Sequence, residues 1–136
     1  MIELIEDAID VAAAEYDDSV EFFEISADLQ RVSLIVATSD GTAEQLFYCG
    51  AGGYVPPTSL GEASGATFPG DAVDVDTDVV FDGLETELDD PDIVDFAIVG
   101  DGQGGVVYDS TVQSAAGGVL LVRLSPGGQV LGVQAE

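Results

Sequence analysis

A length of 136 residues suits one domain with one core, and a hydrophobic fraction of 46% supplies the material for that core, which excludes a disordered acidic tail. Against 27 Asp and Glu stand only Arg31 and Arg123, with no lysine or histidine, for a formal net charge of −25. Phosphate backbones and anionic bilayers are met by Lys and Arg, so direct nucleic-acid binding and adsorption to an anionic membrane are excluded.

Residues 2–16 predict a helix. Ile2, Ile5, Ile9, Ala12, Ala13 and Tyr16 recur at spacings of three and four. Glu3, Glu6, Asp7 and Asp10 cluster at its front, where the helix dipole favours negative charge, and Asp17, Asp18 and Ser19 end it. The acidic start has no uninterrupted apolar run, so a signal peptide is not expected and synthesis in the cytoplasm is. No segment approaches the ~18 apolar residues of a membrane helix.

From residue 20 the period shortens. Val20 to Ile25 is β-rich, and in Arg31 to Thr38 the residues Val32, Leu34 and Val36 alternate with Arg31, Ser33 and Ile35. Asp40-Gly41 is a hairpin signal, with Ala43 to Cys49 as the return strand. Cys49, the single cysteine, reads as a small apolar core residue and has no partner for an internal disulfide. Residues 50–70, rich in Gly, Pro, Ser and Thr, predict a long irregular loop, the natural place for recognition, with Tyr54 at its start. Residues 71–82 alternate: Val73, Val75, Val79 and Phe81 against Asp74, Asp76, Asp78 and Asp82, the pattern of a half-buried strand with a solvated acidic face. Further strands are expected at 93–99, 106–108, 119–124 and 129–133. Gly100 to Gly105 precedes Val-Val-Tyr rather than a helix, so it reads as a hairpin turn and not a nucleotide loop.

The expected fold is mainly β, an antiparallel β-sandwich or small barrel of about eight short strands with one N-terminal amphipathic α-helix. The whole of 1–136 reads as one domain: helix 2–16, hairpin region 20–49, loop 50–70 and β region 71–136. No internal repeat of fixed period is visible.

The residue inventory argues against catalysis. Without histidine there is no Ser-His-Asp triad, no Cys-His pair and no histidine zinc site. Without lysine there is no Schiff base and no P-loop. Paired carboxylates could hydrolyse a glycoside, but among 27 acids any pair is expected by chance, and the tryptophan that sugar clefts often use is missing. No enzyme activity and no cofactor are expected.

Asp74, Asp76, Asp78, Asp82 and Glu85 occupy positions 1, 3, 5, 9 and 12 of a twelve-residue loop that resembles the EF-hand family's calcium loop. The departure is Val79 at position 6, where the sharp turn needs glycine. An alternating strand with hydrated Asp is the plainer reading. A weak Ca2+ site in these residues, joined by Asp89, Asp90 and Asp92, is the alternative.

The acids are spread from Glu3 to Glu136, one or two at a time between apolar residues, and lysine is absent. This resembles the salt-in proteins of halophilic archaea and their viruses. At ~1 M salt the Debye length falls to about 3 Å, which screens the self-repulsion of such a surface. The segments Ile93 to Val99, Gly100 to Gly105 and Gly117 to Arg123 resemble tail-fibre and tail-collar modules of head-tailed viruses. Together these resemblances imply a non-enzymatic structural or assembly protein, a capsid-decoration or tail component of a virion, with protein subunits as partners. The expected contact residues are Ile2, Ile5 and Ile9 on the helix, Tyr54, and the two cations Arg31 and Arg123, each paired with a carboxylate at an interface or on its own sheet. The alternative is a cytoplasmic ligand- or protein-binding β module of a halophile.

Overall fold

A computed structural model of the chain describes residues 2–17, 19–50, 53–88, 90–103, 105–115 and 117–135. Asp18, Asp89 and Gly104, which enter the sequence reading, lie outside them. The protein is mainly β: nine antiparallel strands form one sheet that does not close, with a helix at the N-terminus. The packing is sandwich-like, and the barrel alternative does not form.

A 3-10 turn, Ile2–Leu4, leads into helix α1, Ile5–Glu15. The helix has no side-chain cap, so Glu6 and Asp7 in its first turn answer the dipole instead. Its stripe of Ile5, Ala8 and Ala12 is buried. Four strands follow as successive hairpins: β1 Glu21–Ala27, β2 Val32–Ala37, β3 Thr42–Tyr48 and β4 Tyr54–Glu62. The alternation in β2 places Val32, Leu34 and Val36 inside. They meet Phe22 and Ile25 of β1 and Leu46 of β3 on the same face. Fully burying one such side chain contributes about 2 kcal/mol.

The loop expected over 50–70 is largely strand. β4 runs along the edge of the sheet and carries Pro56 and Pro57, and a short β5, Phe68–Pro69, pairs with β1. The two prolines lie where the β3–β4 register shifts, between Val55 and Thr58, and an edge strand with such a bulge tolerates the missing N–H groups. Phe68 is fully buried, with its ring centroid 5.9 Å from that of Phe22.

The strand expected over 71–82 is also overturned. After a 3-10 turn, Gly70–Ala72, the chain forms helix α2, Thr77–Glu85. Asp76 is its N-cap, accepting the N–H of Asp78 at 3.0 Å and of Val79 at 3.4 Å. Val80, Gly83 and Leu84 are buried at helical spacing, while Phe81 is exposed. The cap and the burial together override the alternation of Val and Asp.

Strands β6 Asp92–Gly100, β7 Val106–Gln113, β8 Val119–Leu124 and β9 Val130–Ala135 complete the sheet. Its order is β4-β3-β2-β1-β6-β7-β8-β9. The chain is therefore a repeated unit, a helix followed by a four-stranded meander, and the two units meet through their first strands. The ladders repeat as well. The irregularity between Phe22 and Glu24 in β1 recurs between Ile93 and Asp95 in β6. Ile25 opposite Leu34 recurs as Phe96 opposite Ser110, and Leu34 opposite Leu46 as Ser110 opposite Val122. Thr38 bonding Thr42 and Gly41 across the β2–β3 turn recurs as Ser114 bonding Gly118 and Gly117. Ser26 pairs with its own equivalent, Ala97, which puts a pseudo-two-fold axis at that pair. The β6–β7 hairpin is longer than the β1–β2 hairpin, so the spacing of equivalent residues drifts and no fixed period shows in the sequence.

Candidate assembly interface

The residues expected to make contacts lie on separate elements. Ile2 and Ile5 are buried in the chain's own core, and Ile9 packs against that core and crowds Gly70. The apolar stripe of α1 is thus used internally and is not free for a neighbour. Tyr54 is exposed and its hydroxyl donates to Glu15 Oε2 at 2.9 Å, tying the start of β4 to the end of α1. The Arg31 guanidinium lies 3.9 Å from the centroid of the Phe47 ring, a cation–π contact. Arg123 is exposed and binds Asp109 on the neighbouring strand through two hydrogen bonds, Nε to Oδ1 at 2.7 Å and Nη2 to Oδ2 at 2.8 Å. That fork geometry is the one Arg uses for carboxylates.

The five acids of the calcium-loop pattern are distributed by α2 rather than gathered. Asp74 precedes the helix, Asp76 caps it, and Asp78, Asp82 and Glu85 ride on it. From Asp78 to Glu85 the helix axis advances by about 10 Å. Among the described residues no three acidic or thiol side chains converge as metal ligands. Asp90 and Asp92 line a shallow cavity with Glu85, Gln113 and Ser114, and Asp89 lies outside the described residues.

On the sheet face away from the helices, carboxylates crowd near the centre. Burial raises the Glu24 carboxyl above its ordinary value, and the charges of Asp95 and Asp109 add to the effect. Asp95 is raised too, by partial desolvation and then by Asp28. Arg123 relieves this crowding only at Asp109.

Beyond Asp109 the surface changes character. Residues 110–135, which include the second half of β7 and all of β8 and β9, contain no Asp or Glu and one cation, Arg123. Val119, Leu121, Leu131 and Val133 are exposed there. Leu121, Arg123, Gly132 and Gln134 line a shallow depression of about 420 Å3 with Asp109 at its rim. β9 ends the sheet, so its outer edge has no strand beside it among the described residues. On a chain of net charge −25 this is an apolar, acid-free end suited to burial against protein. It was missed because charge was counted over the whole chain. The stretch without acids after Asp109 is the signal that locates it.

Comparison with protein-family models, curated proteins and solved structures finds no match to this chain. Among the described residues no helix is long and apolar enough to cross a membrane.

Proposed function

We propose that this chain is a non-enzymatic assembly protein adapted to molar salt, a capsid-decoration or tail component of a virus of halophilic archaea, synthesised in the cytoplasm and carried in the virion. The observation that carries the reading is the end formed by β8 and β9, exposed, apolar and free of acids over residues 110–135 on a molecule of net charge −25. A surface that works in brine holds its hydration with carboxylates wherever it stays exposed. The end without them is the one that becomes covered. Apolar contacts survive or strengthen in concentrated salt, whereas ion pairs are screened. The open antiparallel sheet supplies a rigid scaffold for such a contact. The acidic remainder keeps subunits apart until they dock.

The test is absolute mass by light scattering at ~3 M and ~0.2 M KCl, on either side of the salt at which the Debye length is about 3 Å. A defined oligomer in high salt that dissociates or unfolds in low salt supports the reading. A well-folded monomer in both overturns it and turns attention to ligand binding in the depression beside Arg123.

A further inference from the structure

The two ends of the sheet occupy equivalent places in the two units, but they are built differently. Val55 of β4 pairs with Phe47, as Gly132 of β9 pairs with Arg123, and Leu131 is the extra residue where the β9 register shifts; both ends carry exposed apolar side chains. β4, however, carries Pro56 and Pro57, which have no N–H to offer, is irregular at two places in its pairing, and ends on Glu62. These are the devices that keep an edge strand from pairing further. β9 has no proline and no charged residue over Val130–Ala135, and its register shifts once. Its free row of N–H and C=O groups is a template for another strand.

Charge decides which strand. An acidic segment approaching a molecule of net charge −25 is opposed. Two stretches of a second copy escape that opposition, its β4 end, where residues 45–61 hold no Asp or Glu, and its own β8–β9 end, and the prolines of β4 remove the first as a strand partner. We infer that two copies of this chain join edge to edge through β9, antiparallel, so that their sheets become continuous. The inference rests on the assembly reading and names its first partner. Pairing β9 with β9 is isologous, so a two-fold axis closes the contact at two copies. Leu131 and Val133 of both copies meet at the seam, flanked by β8. The prolines of β4 leave the far edges unable to extend the sheet into a fibre.

The experiment is absolute mass at ~3 M KCl for the native chain, Leu131→Glu and, as control on the opposite edge strand, Val55→Glu. Both positions are about half exposed, 52% and 48%, so both variants keep the core intact. The expected result is twice the chain mass of 14.0 kDa for the native protein and Val55→Glu, and a monomer for Leu131→Glu. A dimer that survives Leu131→Glu, or dissociates only with Val55→Glu, overturns the inference.

Amide hydrogen exchange on the native chain gives a second readout that does not depend on a variant's folding. Exchange across 130–135 should slow as protein concentration rises, while 54–62 stays unchanged. An oligomer whose 130–135 amides exchange at a rate independent of concentration overturns the β9 contact and leaves the assembly reading standing. A monomer at every concentration overturns both.

Discussion

Gly83 of α2 lies directly on Gly128 of the β8–β9 turn: a Cβ built on Gly83 would sit 2.0 Å from the Gly128 carbonyl oxygen. The approach is mutual, since a Cβ on Gly128 would come within 2.6 Å of the Val79 carbonyl oxygen. Gly128 also has φ 85°, a left-handed conformation that glycine adopts without strain. Backbone therefore packs on backbone, and α2 fixes the turn that presents β9. The first unit has a looser version, in which Gly50 of the β3–β4 turn packs against Leu4 at the front of α1.

Gly83→Ala forces that contact apart although alanine favours helix. Overpacking of this kind costs about 1–3 kcal/mol, and the obstacle here is backbone rather than a flexible side chain. Thermal unfolding in high salt should show the loss, and oligomer formation should weaken with it because β9 is displaced.

Asp76→Ala removes the N-cap of α2 and leaves the Asp78 and Val79 N–H groups without their acceptor. The expected destabilisation is about 1 kcal/mol, measured by denaturant unfolding at constant KCl. Asp76→Asn keeps the accepting oxygen and should retain most of the stability.

Ser110 sits in the core between Phe96 and Val122, and its hydroxyl finds no hydrogen-bond partner among the described residues. Its equivalent in the first unit is Leu34. Ser110→Ala removes a buried, unsatisfied polar group and should raise stability by about 1 kcal/mol in the same assay.

Glu24 has a folded-state pKa raised by burial and by neighbouring carboxylates. Such a group favours the folded state while protonated. Its contribution is fully present below the ordinary glutamate value of 4.5 and is lost as pH rises through the raised value. Glu24→Gln should therefore raise the melting temperature at neutral pH, with the gain over the native chain vanishing in acid. Asp28 behaves oppositely. The N–H groups of Gln30 and then Arg31 hold its carboxyl below its ordinary value, so its contribution is present at neutral pH and falls away as the solution is acidified through that lowered value.

The elements with one dominant local signal were legible in the sequence: the stripe of α1, the alternation in β2, and the Asp40-Gly41 hairpin. The segment 71–82 was not, because Val73, Val75, Val79 and Phe81 fit a period of two as well as Val80 and Leu84 fit a helix. Asp76 as a cap was the deciding residue. The proline pair hid β4, since proline argues against strands except at an edge, and edges are a property of the assembled sheet. The repeat was hidden by the longer β6–β7 hairpin and by substitutions such as Leu34 to Ser110. Of the expected contact residues, Ile2 and Ile5 turned inward because helix stripes serve the nearest apolar surface, here the chain's own sheet. The acid-free end was present in the sequence as a change in charge density, visible only when the chain is read in windows.

The most direct test of the acid-free end is the dissociation constant of the oligomer by sedimentation equilibrium at ~1 M and ~3 M KCl. At 1 M the Debye length is already about 3 Å, so further salt does little more to charge repulsion and reports on the contact itself. An apolar contact through β8 and β9 predicts tighter association at 3 M. Association that weakens between 1 M and 3 M would contradict the account, because an apolar contact does not lose strength as salt rises.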